Sequence, residues 1–286
     1  MESQAWFADL DLDDGVAVEG RIRTGSADAP EDWPAEAVAA GVVDDEAAYY
    51  DRLHEATMAA TREAVAERER ADDQQLVHAV RAIDDLAETA NDLTTRVTEW
   101  AGSYYGETGS GAEYVAEVAD REPDGPVETR VVSIARRVRD LRRERTDLED
   151  FVDRQARSVC PNLAMLAGPL LAARLVALAG GLESLAKKPS GTLQVLGAED
   201  ALFAHLRGQA PSPKHGVIYT HEYVRGTRPE DRGSAARALA GKLSIAARID
   251  HYSGDRRPDL ADELDERIAR IRARADEGTS TEEGDG

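Results

Sequence analysis

The sequence predicts a mainly α-helical fold, in which an antiparallel coiled-coil hairpin precedes an all-α domain and a small, reduced α/β region lies at the N-terminal end. Apolar residues recur at helical spacing over most of the 286 residues. Charged residues make up 32% of the chain and aromatic residues only 5%, which is typical of helices with broad polar surfaces. The predicted divisions are the N-terminal region 1–70, the hairpin 71–155, the helical domain 156–275 and a disordered tail 276–286.

The N-terminal region combines one strand pattern with one helix pattern. The run VAVEGRIR, residues 16–23, alternates apolar and polar side chains and predicts a short strand. Residues 44–70 carry apolar side chains at helical intervals and predict a long helix.

Two interleaved heptad series predict the first arm of the hairpin. Leu76, Ile83 and Val97 fall at multiples of seven, and a second series through Leu86 and Leu93 follows three residues behind. A Gly- and Pro-containing linker, 106–126, interrupts the pattern, which then resumes to residue 152 and predicts a second, antiparallel arm. The apolar stripe either packs within the chain or pairs with a second copy. Residues predicted to form such a dimer contact are Ile83, Leu86, Leu93, Val97, Ile134, Val138 and Leu141.

One segment of this acidic chain is basic. The formal net charge is −21, yet residues 151–256 hold 14 basic and 9 acidic side chains and contain every lysine. Such a block indicates a binding surface for a polyanion. The lysine-poor acidic remainder looks like an adaptation to a cytoplasm of very high salt; the alternative is an ordinary acidic protein of a mesophile.

Sequence motifs of common enzyme classes are absent. No P-loop follows a predicted strand, and the chain has no G-x-S-x-G, H-E-x-x-H or paired-cysteine motif. The six histidines are scattered, and the single cysteine, Cys160, has no assignable base. We therefore expect no enzymatic activity, no metal and no cofactor on this chain.

The single cysteine and the acidic first residues, which do not resemble a secretory signal, predict a cytoplasmic protein. The most apolar stretch, 161–181, is interrupted by Gly168-Pro169 and carries Arg174 near its middle. We interpret it as a buried core helix rather than a membrane span.

A helix predicted over 234–250 carries part of the basic block. Arg237, Gly241, Ser244 and Arg248 share one face, on which two small residues between two basic ones permit the close approach of a backbone. The alternative is an ordinary solvated face. The opposite stripe, predicted to face the core, consists of Leu239, Leu243 and Ala246.

The stretch PNLAMLAGPLLAARLVALAGGLESLAKKPSGTLQVLGAEDALFAHLRGQAPSPKHGVIY and the later DRGSAARALAGKLSIAARIDHYSG closely resemble the Nop domain of the archaeal scaffold proteins in box C/D ribonucleoproteins, which guide RNA 2'-O-methylation. The motifs P-N-L, A-G-G-L, G-A-E-x-A-L-F, K-H-G and A-R-A-L-A-x-K occur in order, and the resemblance covers about 74–256. In that family the Nop domain binds a kink-turn RNA together with the kink-turn-binding protein seated on it. The family's hairpin mediates self-association, and its N-terminal domain docks the methyltransferase fibrillarin.

The resemblance implies which residues bind the ribonucleoprotein. They are Arg174, Gln194, Gly197, Ala198, Glu199, Asp200, His205, Arg207, Lys214, His215, Arg232, Arg237 and Lys242. Phe203 is expected to bury its ring and hold the G-A-E loop. Asp200 replaces a lysine of the family motif and Ser234 a basic or polar residue, so recognition would rest more on shape, stacking and protein contacts.

The resemblance thus implies a non-catalytic scaffold, dimeric through its hairpin, that connects guide RNA and its kink-turn-binding protein to fibrillarin, which itself carries S-adenosylmethionine. Fewer residues precede the hairpin than that family's fibrillarin-docking domain uses, so we expect a reduced N-terminal region. One alternative is a coiled-coil assembly protein that does not bind RNA. Another is a catalytic role of its own, which the absent motifs disfavour.

Overall fold

The computed structural model describes residues 5–11, 14–25 and 31–280, with side chains as far as residue 273. The chain divides into two compact units, Met1–Ala71 and Asp72–Gly286. The first boundary lies one residue from the predicted end of the N-terminal region. Hairpin and helical domain share the second unit, so their predicted separation at residue 155 stays a prediction.

The first unit consists, in its described part, of three helices around an aromatic cluster. Trp6 and Phe7 pack edge to face at 5.8 Å, and the Trp6 indole Nε1 donates a hydrogen bond of 3.0 Å to the hydroxyl of Tyr49. These three side chains are buried, so they anchor residues 6 and 7 on the helix that contains Tyr49, the longest of this unit. The helices are α1 (Gly15–Thr24), α2 (Trp33–Ala39) and α3 (Glu46–Arg70).

The predicted strand 16–23 is wrong, because these residues form α1. Val18 is buried and Ile22 packs on the same cluster, a spacing of four that fits a helix, whereas Val16 is 81% exposed. The carboxylate of Asp14 caps the helix by accepting from the backbone N–H groups of Val16 and Ala17. No strand occurs among the described residues of this region, which is therefore helical rather than α/β.

The second unit opens with the predicted antiparallel pair of long helices. Leu76 near the start of the first packs in one core with Val152 near the end of the second, while Val97 and Val131 share another core at the opposite end. Arg142 Nη2 also donates 2.9 Å to the hydroxyl of Thr94 across the pair. Supercoiling of the two helices stays a prediction. They are α4 (Asp72–Tyr105) and, after α5 (Gly111–Ala119), α6 (Pro126–Val159).

The linker predicted between the two arms contains the helix α5. Its Tyr114 and Val118 are buried against the ends of α4 and α6. Glu107 accepts from the Tyr114 hydroxyl at 3.0 Å and from Arg121 Nη2 at 2.7 Å, which fixes both ends of the helix. Gly and Pro residues mark the boundaries of this short helix, and the linker prediction missed the apolar residues between them.

The remainder of the second unit packs around one central helix, α13. The predicted core stripe is confirmed, since Leu239, Leu243 and Ala246 are fully buried. Ser244, placed on an accessible face by the sequence, is buried as well. The helices are α7 (Pro161–Ala167), α8 (Pro169–Ala179), α9 (Leu182–Lys187), α10 (Ser190–Val195), α11 (Glu199–Leu206), α12 (Glu222–Arg225), α13 (Arg232–Tyr252) and α14 (Asp259–Ser280), with a 3-10 turn at Val217–Thr220.

The apolar stretch that begins at Pro161 forms two helices rather than one. Gly168 takes a φ of 78° between α7 and α8, and the two helices meet at a bend of 118°. Leu163, Leu175 and Val176 are fully buried. Among the described helices none is alone long and apolar enough to cross a membrane, and only this bent pair reaches that length together.

A buried polar junction joins α7 to α13. Asp250 accepts from the backbone N–H of Asn162 at 3.0 Å, from its Nδ2 at 2.6 Å and from the N–H of Leu163 at 2.9 Å. Asn162 also donates to the Asp255 carbonyl at 2.8 Å and accepts from the Arg257 N–H at 2.8 Å. The P-N-L motif therefore ties the start of α7 to the end of α13 and to the loop before α14.

The end of α14 departs from the predicted disordered tail. The helix continues to Ser280, so residues 276–280 are helical, while 281–286 lie outside the described residues. Ile271 is the last buried residue of the helix among the described side chains.

Candidate nucleic-acid interface

The end of α10 and the turn that follows it lie beside residues 214–217. The Gly216 N–H donates to the Gln194 carbonyl and the Val217 N–H to the Leu196 carbonyl, both at 2.8 Å. Gln194 Nε2 donates 2.7 Å to the carbonyl of Lys214. A Cβ at position 216 would lie 2.0 Å from the Leu196 oxygen, so only glycine permits this approach. The pairing places the G-A-E motif beside the K-H-G motif.

The G-A-E loop is held by its own side chains. Gly197 has a φ of 80°, and an added Cβ would lie 3.3 Å from side-chain atoms of Leu178 and Val217. Glu199 Oε1 accepts from the Gly197 N–H at 2.8 Å. This carboxylate therefore shapes the loop just before α11. Ala198, the N-cap residue of α11, is only half-buried.

A stack of rings and cations lies next to this loop. The rings of His215 and Tyr219 stack at 4.6 Å with an angle of 22°, and the guanidinium carbon of Arg232 lies 5.4 Å from the Tyr219 ring centre. Arg232 Nε donates 3.1 Å to the Thr227 carbonyl, which fixes its orientation. Burial, and secondarily the positive charges of Arg232 and Lys214, hold the pKa of His215 below its usual value. We call Lys214, His215, Tyr219 and Arg232 the basic-aromatic face.

The helix α11 follows the G-A-E loop and has no buried residue. The prediction that Phe203 buries its ring is wrong, because Phe203 is 55% exposed and Leu206 is 70% exposed. The helix has only two turns, and its inner side is covered by the half-buried Leu202 and Ala204 instead. Two neighbouring apolar side chains therefore face solvent. The predicted binding residues Asp200, His205 and Arg207 are exposed on the same helix and its end, with His205 Nδ1 3.0 Å from the Ala210 carbonyl.

Arg174 lies close to the face but is already paired. Its Nη2 lies 2.5 Å from the carboxylate of Asp84 on α4, and both side chains are largely exposed. Arg174 lines a cleft of about 580 Å³ together with Gly197, Gly216 and Tyr219. The structure thus brings it to the edge of the predicted site.

Arg237 and Lys242 belong to another place on the surface. Both line a groove between α13 and α14, and the ammonium of Lys242 pairs with the carboxylate of Glu263. Arg248, predicted on the same helix face, donates 3.2 Å to the Ala186 carbonyl. The predicted binding set therefore separates into a face around the K-H-G motif and the groove between α13 and α14.

Three of the residues predicted to form the dimer contact are buried inside the hairpin. Ile83, Val97 and Val138 are at most 5% exposed, because each lies between α4 and α6 or against the helices behind them. They are not available to a second copy while the hairpin stays folded. The remaining predicted residues, Leu86, Leu93, Ile134 and Leu141, are half-buried.

Sequence reasoning missed Tyr219. It ends the run V-I-Y, in which only Ile218 is buried. The spacing of four between His215 and Tyr219 could have indicated that the two rings meet.

The described residues contain no group of three or more His, Cys, Asp or Glu placed to hold a metal ion. Burial, followed by the charges of Asp250 and Asp73, raises the pKa of Cys160 to about 12, so its thiol is not a ready nucleophile.

The fold and this surface define a class: a helical hairpin joined to a helical domain that carries a basic and aromatic surface. The chain belongs to the Nop family, described as "snoRNA binding domain, fibrillarin", whose sequence pattern matches residues 115–272. That match extends from α5 to α14.

Known proteins of this family resemble the chain along most of its length. An uncharacterised NOP5 family protein of Methanocaldococcus jannaschii is 36% identical over 237 residues, which are 70% of this chain and 57% of that protein. Nucleolar protein 58 of Schizosaccharomyces pombe is 30% identical over 223 residues, 63% of this chain and 43% of that protein. The chain therefore spans about half the length of these relatives.

A solved structure is also similar. A chain in the crystal structure of a fibrillarin/Nop5p complex superimposes with a TM-score of 0.53 at 25% identity, covering 89% of this chain and 92% of that one.

Proposed function

We propose that this protein is a non-catalytic scaffold of a box C/D ribonucleoprotein that guides RNA 2'-O-methylation. It would bind the composite of a kink-turn RNA and its kink-turn-binding protein and connect both to fibrillarin. Membership of the Nop family supports this role, as does the similarity to a chain from a fibrillarin/Nop5p complex. A cytoplasmic location is part of the proposal.

The observation that carries the proposal is the presence of two chemically different surfaces on neighbouring segments of the second unit. The basic-aromatic face offers cations for phosphates and flat rings for stacking with bases. On α11, which follows the G-A-E loop, Phe203 and Leu206 are exposed and offer an apolar contact suited to a protein surface. A ligand that covers both has a polyanionic part and an apolar part, which is the chemistry of an RNA with a protein seated on it.

The two other parts of the proposed assembly rest on other elements. The helical first unit is the candidate for fibrillarin docking, in line with the similarity to the fibrillarin/Nop5p complex. S-adenosylmethionine would be bound by fibrillarin and not by this chain. A homodimer would form through the half-buried hairpin residues, extended by Trp100, which is 42% exposed.

Electrophoretic mobility shift in about 2 to 3 M KCl tests the proposal. The probe is a box C/D kink-turn RNA, with and without its kink-turn-binding protein, and the variant is Lys214→Ala. We expect binding only to the complex, weakened about threefold by Lys214→Ala, because concentrated KCl screens much of a charge-assisted contact. Lys187→Ala is the matched control, since Lys187 is exposed but pairs with Glu183 elsewhere on the surface. The absence of any shift, or equal binding by both variants, would contradict the proposed face.

A coiled-coil assembly factor without RNA binding is the second candidate. It is favoured by Asp200 and Ser234, two exposed residues at which the related family carries lysine or another basic or polar residue. The absence of RNA from the purified protein, combined with a stable dimer, would support this alternative.

A further inference from the structure

The groove between α13 and α14 is a surface feature that the proposed function does not use. Its volume is about 680 Å³. The floor contains Ala238, Gly241 and Ile245, and a Cβ added at Gly241 would meet no atom within 4 Å. Ile245 is 41% exposed on this floor. The groove therefore has an apolar base with open space above a glycine.

Arginines without acidic partners line both walls of this groove. Arg237 on α13 and Arg267 and Arg270 on α14 are exposed, and no carboxylate among the described side chains pairs with them. The helical i, i+4 pairs that the sequence suggests for α14 do not form, since Arg270 Nε donates to the Glu266 backbone carbonyl at 3.2 Å and Glu263 pairs with Lys242. Elsewhere the same residue type binds carboxylates, as Arg257 does with Asp259.

The charge pattern favours a protein over a nucleic acid as the occupant. Asp231 and Glu266 also line the groove, and both would repel a continuous phosphate backbone. An amphipathic helix avoids this conflict because it places apolar side chains on the floor and a few carboxylates opposite the three arginines. From Asp231 to Ile245, α13 extends about 21 Å, enough for about four turns of a docked helix.

We propose that this groove binds an acidic amphipathic helix of a partner protein. Apolar side chains of the ligand would cover Ile245 and enter the space above Gly241, and its carboxylates would pair with Arg237, Arg267 and Arg270. The site is separate from the basic-aromatic face and does not depend on RNA binding. It also assigns Arg237 to a second surface.

Fluorescence anisotropy with synthetic peptides tests this site on the full chain. The probe is a labelled helical peptide of about 18 residues with leucines at i, i+3, i+4 and i+7 and flanking glutamates. A copy with glutamine in place of glutamate and an RNA duplex of similar length serve as comparison probes. Titrations use the lowest KCl concentration at which the wild-type circular dichroism spectrum is unchanged, because concentrated salt screens charge contacts.

Two variants separate the apolar and charged contributions. Gly241→Leu fills the space on the floor, and we expect at least a tenfold loss of peptide affinity while the melting temperature is unchanged or higher, since leucine is the better helix former. Arg267→Glu with Arg270→Glu should lower affinity at least tenfold and should bind a lysine-substituted peptide better than the wild type does. That exchange of charge preference distinguishes a specific contact from general loss of folding.

Protection of an introduced thiol locates the bound peptide. Ile245→Cys should react with maleimide, whereas Cys160 is buried and its pKa is raised, and bound peptide should slow the reaction at residue 245 at least fivefold. Tighter binding of the RNA duplex than of the acidic peptide, or unchanged peptide affinity in both groove variants, would overturn the proposal. Because the groove variants leave the basic-aromatic face intact, normal binding of the kink-turn complex by them separates failure here from failure of the proposed function.

Discussion

The junction of Asn162 with Asp250 and the basic-aromatic face are two polar clusters of the same unit. The junction is buried, whereas the face is partly open to solvent. At the junction, every described hydrogen bond ends on another part of the chain, and Asn162 is 1% exposed. At the face, His215 and Tyr219 stack with each other and keep part of their rings accessible. The polar atoms of the junction stabilise the fold, whereas the side chains of the face remain accessible for the proposed ligand. Each cluster contains a three-residue motif, P-N-L at the junction and K-H-G at the face, and the sequence alone does not tell which of the two is buried.

The largest effect that separates the two clusters is expected from Asp250→Ala. The substitution leaves the N–H groups of Asn162 and Leu163 buried without an acceptor, which should lower the free energy of unfolding by about 3 kcal/mol. Guanidinium denaturation measures this loss. Asp85→Ala, an exposed carboxylate in mid α4, is the control and should change stability by less than about 0.5 kcal/mol. Equal effects of the two substitutions would contradict the structural role of the junction.

The dependence of stability on salt should also distinguish the charged exterior from the buried junction. Residues 1–150 carry 37 acidic and 16 basic side chains, so the exterior repels itself when counterions are few. We expect a decrease from about 3 to 0.2 M KCl to lower stability by about 2 kcal/mol, or roughly 4 to 8 °C in melting temperature. The loss caused by Asp250→Ala should be similar at both concentrations, because buried contacts are screened little. Equal stability of the wild-type protein at both KCl concentrations would contradict the hypothesis that the acidic surface is an adaptation to high salt.

The apolar side of the docking surface gives a smaller, purely functional effect. Phe203→Ser with Leu206→Ser should leave the melting temperature unchanged, since both side chains are exposed. Affinity for the kink-turn RNA with its seated protein should fall about tenfold or more, equivalent to about 1.4 kcal/mol, because apolar contact area is lost. Mobility shift measures the affinity. A double variant that melts early would place these residues in the fold and not in the interface.

The smallest expected effect concerns a histidine of the fold. His221 Nδ1 accepts from the Tyr223 N–H at 3.2 Å and Nε2 lies 3.1 Å from the Leu166 carbonyl, while burial holds the pKa of His221 below its usual value of 6.5. The unfolded chain therefore takes up a proton that the folded chain resists, and stability should fall as the pH decreases below about 6.5, by about 1 kcal/mol.

His221→Asn should flatten this pH dependence, because asparagine keeps the cap on α12 but does not titrate. His54→Asn, at an exposed position on α3, should leave the slope as in the wild type. Thermal melts between pH 5 and 8 compare the three proteins. A wild-type melting temperature independent of pH would contradict the assignment.

Periodicity predicted the elements that make long regular contacts and failed where contacts are short or tertiary. The heptads of Leu76 and Leu93 placed α4, and the stripe of Leu239 and Leu243 placed the core side of α13. The period of VAVEGRIR was misjudged because eight residues fit two patterns. The helix α5 was not predicted because it lies in a segment rich in glycine. The exposure of Phe203 was not predicted because it depends on how little of α11 other helices cover.

The candidate site shows the same limit. The resemblance of the K-H-G and G-A-E motifs to the Nop domain indicated the face, because those motifs mark the residues that bind the ribonucleoprotein in that family. The position of Arg237 could not be predicted, since both the face and the groove receive residues from α13. The path of α14, which forms the other wall of the groove, decides between them.

The hydrogen bond from Val217 to Leu196 also closes the base of an excursion of the chain that includes α11. Because that base is fixed and no residue of α11 is buried, the excursion resembles a closed surface loop whose length is thermodynamically inexpensive to change. Residues could be inserted beyond the base, or the helix exchanged for another, with little effect on the core. Docking specificity can therefore diverge among proteins of this fold while the helices that carry it stay the same.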